Sequence, residues 1–257
     1  AIGAWVWCFR EQSFAEYQLF DRFDWPQPHA LKELLRLGVP TGLMFLIDVT
    51  AFTFMALFIA RLGAATSAAH QIVSSVVIFL YTVPLAFGNA TGVLVGQALG
   101  AEDPARARRV GLLGLQIGSG ISLLFGTLVA LNAYSIAGWY STDEQVRHIA
   151  ATLLVIVAIF HPADALQGVM AQILRGYKRA TVPMLIYALA LWGVGLGGGY
   201  MFGLTNFFGA PLGAVGFWLA ASAGLGLAGV SVTLYFRHIA SHAVAVQPVL
   251  VGKGIGR

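Results

Sequence analysis

The stretch at residues 149–174, IAATLLVIVAIFHPADALQGVMAQIL, decides the fold. It holds no lysine or arginine and a single acid, Asp164. About 20 mostly apolar residues suffice for a helix to cross hydrocarbon. Backbone groups find no solvent partner there, so a run of this length is a helix rather than a barrel strand. Working outward, five further runs meet the same test, near 39–60, 68–99, 110–139, 182–204 and 211–236. The fold class is therefore all-α, a polytopic membrane bundle of six transmembrane helices.

Composition agrees with this reading. Only 10% of the 257 residues are charged and 58% are hydrophobic, with a mean hydropathy of +0.78. Water-exposed domains carry about 25% charged residues, so this chain is not a soluble domain. The net charge of +4 belongs to loops facing the cytoplasm rather than to nucleic-acid binding. A single cysteine, Cys8, excludes an intramolecular disulfide, and no Cys/His cluster suggests zinc or redox chemistry.

Six spans alternate the sides of the connecting segments. One side then collects Arg10, Arg22, Lys32, Arg36, Arg106, Arg108, Arg109, Arg175, Lys178, Arg179, Arg237, Lys253 and Arg257, which is 13 of the 15 basic residues. Arg61 and Arg147 fall on the other. The split follows the positive-inside rule and places both ends of the six-helix unit in the cytoplasm of a plasma-membrane protein, the inner membrane in a bacterium. Residues 1–9, AIGAWVWCF, read as the end of a preceding transmembrane helix, which implies a longer native protein at this end. Residues 10–38 read as a cytoplasmic linker, with PQP at 26–28 and a short amphipathic helix in which Leu31, Leu34 and Leu35 oppose Lys32, Glu33 and Arg36; an ordinary surface linker is the alternative. The six-helix lobe occupies 39–236, and 237–257 form a cytoplasmic tail.

Nine of the eleven acids lie in linkers. The other two, Asp48 and Asp164, lie inside spans. A carboxylate at the bilayer centre costs roughly 3 kcal/mol on insertion scales, so such groups face a cavity and carry function by default. Asp48 follows Val39 by nine residues and Asp164 precedes Leu174 by ten, which puts both about 14 Å deep at 1.5 Å per residue. Two acids at one depth can share a cavity and exchange a proton, a small cation such as Na⁺, or a cationic ligand. The alternative is that each is a packing residue bonded to a hydroxyl such as Thr50 or Thr53. Beside Asp164 stand Phe160, a candidate wall residue, and His161. At i, i+3 His161 and Asp164 share a helix face, either as a proton-relay pair or with His161 bonded to backbone next to the Pro162 kink. Tyr81 either offers a π face to a cation or packs.

Other patterns fail their context. The two GxGxxG matches, at Gly193 and Gly224, lie inside apolar runs with no preceding strand, so they are packing glycines rather than dinucleotide loops. No HExxH or third ligand suggests a catalytic metal, and no nucleophile supports an enzyme.

Several segments in order resemble a known family. LKELLRLGVPTG at 31–42, ARLGAATSAAHQI at 60–72, LYTVPLAFGNATGVLVGQALGAEDPARARR at 80–109, STDEQV at 141–146 and HPADALQGVMAQILRGYKRATVP at 161–183 resemble the carboxyl-terminal half of the multidrug and toxic compound extrusion (MATE) transporters. The resemblance implies twelve helices in two six-helix lobes, of which this chain carries the second, and a partnership with an amino-terminal lobe of the same protein. It also implies export of cationic or amphipathic compounds in exchange for H⁺ or Na⁺, with no cofactor. Asp164 matches the acid of the family's tenth helix, and Asp48 that of the seventh, where the family usually has Glu. Tyr81 matches an aromatic cavity position and Gln71 the AxQ segment. The alternatives to an antiporter are a lipid-linked-precursor flippase of the same superfamily and a six-span channel formed by oligomerisation.

Overall fold

The computed structural model describes residues 27–251. The readings of the opening apolar residues, of Cys8 and of most of the linker lie outside the described residues. The chain divides into residues 1–36 and 37–257. In the first unit the described residues are helical from Pro28, with Leu31, Leu34 and Leu35 exposed.

The helices are α1 (Pro28–Ala60), α2 (Ala64–Gly100), α3 (Pro104–Leu131), α4 (Ala133–Tyr140), α5 (Glu144–Gly176), α6 (Thr181–Ala188), a π-helical segment (Leu189–Gly197), α7 (Gly198–Leu204) and α8 (Ala214–Val251). Six are membrane-length spans among the described residues when α6, the π segment and α7 are taken as one, Thr181–Leu204. Three helix ends differ from those expected. α1 starts at Pro28, where a proline suits the first helical position because its absent N–H would be unpaired anyway. The third apolar run breaks at Asn132, whose side-chain amide donates to Leu128 O at 2.8 Å and closes α3 before α4 begins. The last helix continues past residue 236 to Val251.

α5 is the hub, packing against α2, α3, α4 and α8. Glycines set its closest approaches. A Cβ on Gly92 of α2 would lie 2.7 Å from the Gln172 carbonyl oxygen, and one on Gly176 would lie 2.6 Å from the Gly92 carbonyl oxygen. Only bare backbones approach so nearly. The family-like segments at 97–104 and 173–181 form matching turns at the C-terminal ends of these two helices. In each, one N–H bonds five residues back, Asp103 to Ala98 and Arg179 to Leu174. In each the penultimate residue, Glu102 or Lys178, takes positive φ, as in Schellman helix ends.

The stripe of small residues in the fifth span packs in part. Gly199 and Gly203 lie under Phe217, and Gly216 touches the backbone of Phe202 and Gly203. Gly224 abuts Ala190 O and Gly195, and Gly229 abuts Leu166. Gly193 meets nothing within 4 Å, so its expected packing role is absent among the described residues.

α1 stands apart from this close packing. Of its residues only Pro40, Ala51, Met55 and Ile59 are buried, and it reaches the other helices through aromatic side chains. Phe52 meets Phe160 edge-on at 6.2 Å, Phe54 meets Trp192 at 5.7 Å and Phe58 stacks on Phe217 at 6.1 Å.

Candidate functional site

Asp48 projects from the middle of α1 and is half-buried. Its Oδ1 accepts a hydrogen bond from the phenol of Tyr187, a buried residue one position before the end of α6. The hydroxyls expected as alternative partners go elsewhere. Thr50 donates to Leu46 O and Ile47 O, and Thr53 to Val49 O, each within its own helix. Asp164 is also half-buried, on α5, and among the described residues no donor bonds its carboxylate. The charges of Asp48 and Asp164 act on one another, and both act on Tyr81 and Tyr187. The two acids and two phenols thus form one electrostatic group drawn from four spans.

Tyr81 enters this group through a notch. A Cβ on Gly168 would lie 2.5 Å from the Tyr81 hydroxyl oxygen, so the missing side chain leaves room for the phenol. Gly168 lies four residues after Asp164, on the same helix face.

The remaining expected residues lie elsewhere. Phe160 is 1% exposed and packs edge-on against Trp218 at 5.0 Å as well as against Phe52. It is a core residue here, and the expectation that it lines a substrate wall is not met in this conformation. His161 is fully buried, and neither ring nitrogen meets a hydrogen-bond partner among the described residues, so the relay contact with Asp164 is not made. Pro162 has no N–H for Ala158 O, and the bare surface of Gly126 lies against this stretch, with its Cβ position 3.0 Å from Val157 O. Gln71 is exposed, and among the described residues no hydrogen bond joins it to either acid; its neighbour His70 is buried against Trp218 at 5.7 Å.

Sequence reasoning missed Tyr187 and Trp192. The indole of Trp192, in the π segment, donates to Ile47 O at 3.3 Å. Tyr187 and Trp192 therefore bond consecutive residues of α1, Asp48 and Ile47. The signal available was faint: a tyrosine in the first half of an apolar span, where a buried phenol needs a partner. A π-helical turn inserted in an α-helix is frequent at functional sites, and here it begins two residues after Tyr187, at Leu189. The void among Ala51, Phe52, Met55, Leu191, Gly195, Leu196 and Ala221 measures about 10 Å³, room for one water at most, so it is no chamber for a drug-sized molecule. Among the described residues no three His, Cys, Asp or Glu side chains gather.

A bundle of six membrane-length apolar helices defines a multi-pass helical membrane protein. The MatE family model matches residues 40–201, and the chain belongs to that family. The chain is 40% identical over 189 residues to a protein named probable multidrug resistance protein NorM in Aromatoleum aromaticum, covering 74% of this chain and 41% of that one. It is 34% identical to multidrug resistance protein PmpM of Pseudomonas aeruginosa, covering 92% of this chain and 49% of that one. In fold it is similar to the Vibrio cholerae MATE transporter VcmN in the bent form, with a TM-score of 0.76, 23% identity and coverage of 88% of this chain and 50% of that chain. A eukaryotic MATE transporter, AtDTX14, gives a TM-score of 0.78 at 18% identity, covering 93% of this chain and 53% of that chain. The chain spans about half the length of the curated relatives it matches. The family is one of transporters, not enzymes.

Proposed function

We propose that this chain is the ion-coupling lobe of an antiporter that exports cationic or amphipathic compounds in exchange for H⁺ or Na⁺. The observation that carries the reading is the presence of Asp48 and Asp164, two half-buried acids inside apolar spans, near enough for their charges to act on one another. Retaining acids at this depth is costly, and two neighbouring carboxylates favour uptake of one positive charge between them. The relatives named multidrug resistance proteins support the cargo class. Apolar surface beside the acids contributes non-directional burial, which suits varied amphipathic cargo.

In this reading the lobe works against a second six-helix lobe of the same protein, surrounded by lipid, with rocking between the two giving alternating access. An ion that bound both states equally would drive nothing, so the acids change their accessibility and coordination between states. The basic residues gathered on one side of the spans support a plasma-membrane orientation with both ends of the six-helix unit cytoplasmic. A flippase for anionic lipid-linked precursors calls for basic groups deep in the spans, and the deep charges here are acids.

The test is export of a cationic dye by cells producing Asp48→Asn or Asp164→Asn variants at parental membrane levels. Each variant is expected to lose export. Parental export by both would overturn the reading.

A further inference from the structure

α1 carries Asp48, yet it is the span least embedded in the bundle. The hydrogen bonds that tie residues 37–60 to other helices among the described residues are the phenol of Tyr187 on Asp48 Oδ1 and the indole of Trp192 on Ile47 O. Both donors come from one stretch of the fifth span, at the junction of α6 and the π segment. The α8 glycine Gly224 holds that stretch closely, with Ala190 O 2.7 Å and Gly195 N 3.0 Å from its Cβ position. Tyr187 is thus fixed on a rigid side, and Asp48 sits on the looser one.

The geometry points to Tyr187 as a positioning residue of the coupling site, whose hydroxyl holds the charged form of Asp48 through Oδ1 and is loosened when an ion binds that carboxylate. The inference rests on the antiporter reading and adds the step that links ion binding to helix movement. A proton or Na⁺ arriving at Asp48 offsets the carboxylate charge that strengthens the phenol's hydrogen bond, so ion and phenol oppose one another at this group. When the ion binds, the phenol's bond falls to that of a neutral acceptor, and α1 is held by the Trp192 bond and by the ring contacts of Phe52, Phe54 and Phe58. Weakening of the Tyr187 bond therefore eases a shift of α1 relative to the fifth span.

The consequence is specific. Removing the phenolic hydroxyl removes the hydrogen bond that favours the unoccupied carboxylate, so the ion binds at lower concentration while the carboxylate remains. A hydrogen bond to a charged oxygen is of the order that gives about a tenfold change.

The experiment measures cationic-dye export by the complete protein in everted membrane vesicles, with coupling-ion concentration varied across the half-saturating range. Tyr187→Phe is expected to lower the half-saturating concentration about tenfold. A purely structural role would lower the maximal rate and leave that concentration where it was; a value within twofold of the parent overturns the inference. Site-specific 3-fluorotyrosine at position 187 keeps the ring and strengthens the donor, so it is expected to raise the half-saturating concentration. If Tyr187→Phe does not accumulate in the membrane, this substitution decides the matter, and an unchanged value overturns the inference. Asp48→Asn separates the two readings. Parental export by that variant sinks the antiporter role of Asp48, whereas loss of export alongside an unmoved tyrosine result sinks only the role of Tyr187.

Discussion

The hydroxyl of Tyr81 lies over Gly168, one helical turn beyond Asp164, and a Cβ on that glycine would come within 2.5 Å of the oxygen. The ring atoms Cε2 and Cζ lie 3.2 and 3.3 Å from the same point, so a methyl group would push the whole phenol away. Gly168→Ala is therefore expected to displace Tyr81 from the acids and weaken cationic-dye export severalfold with normal membrane levels. Tyr81→Phe, which keeps the ring in place, is expected to retain more export than Gly168→Ala. Dye-efflux rates of the two variants side by side check this, and equal parental rates would contradict it.

Gly216 contacts the backbone of α7 directly, with Gly203 N and the Phe202 carbonyl carbon each 2.9 Å from its Cβ position. Backbone atoms cannot rotate aside as a side chain can. Gly216→Ala is expected to cost about 1–3 kcal/mol, the usual scale of overpacking, and to lower the melting temperature of detergent-solubilised protein. Gly193→Ala, at a position with open space around it, is the control and is expected to leave melting unchanged or slightly raised through better helix propensity.

Asp143 caps α5, with Oδ1 accepting from Gln145 N at 2.8 Å and Val146 N at 3.2 Å. Replacing such a cap by alanine costs about 1 kcal/mol. Asp143→Ala is expected to lower thermal stability by this modest amount while dye export persists, which separates it from the intramembrane acids. Complete loss of export at normal protein levels would show a transport role that the cap geometry does not explain.

His161 is fully buried with both ring nitrogens unpartnered among the described residues. An unpaired buried polar group costs about 1–3 kcal/mol, so His161→Phe is expected to leave stability equal or higher. Export is expected to stay within about twofold of the parent, since no hydrogen bond links the ring to Asp164; that bound is far smaller than the effect of removing a buried charged partner. Export lost as fully as in Asp164→Asn would restore the proton-relay role.

The spans and their number were legible because hydrocarbon imposes a length and a composition that residues 149–174 and its counterparts state openly. The acids were legible for the same reason, since a charge inside an apolar run stands out. The turns at Glu102 and Lys178 lie within the very segments that carry the family resemblance. What could not be read depends on register and on distant pairing. A π-helical turn over Leu189–Gly197 shifts hydrogen bonds by one residue without changing an apolar composition. Tyr187 and Asp48 are 139 positions apart, and no local periodicity pairs them. Asn132 looked like one polar residue in a long apolar run, yet its amide closes α3. Phe160 and His161 were placed by their nearness to Asp164 on one helix face, but what packs on that face comes from distant sequence: Phe52 and Trp218 close over Phe160, and His161 is fully buried.

The central claim is that a cation bound at Asp48 and Asp164 drives the movement of cargo. Its most direct measurement is dye efflux by the complete protein in proteoliposomes, with the H⁺ and Na⁺ gradients imposed one at a time. Efflux that accelerates under one gradient and no longer responds to it in Asp48→Asn or Asp164→Asn is the predicted result. Efflux indifferent to both gradients, or a response that survives loss of both carboxylates, would contradict the account.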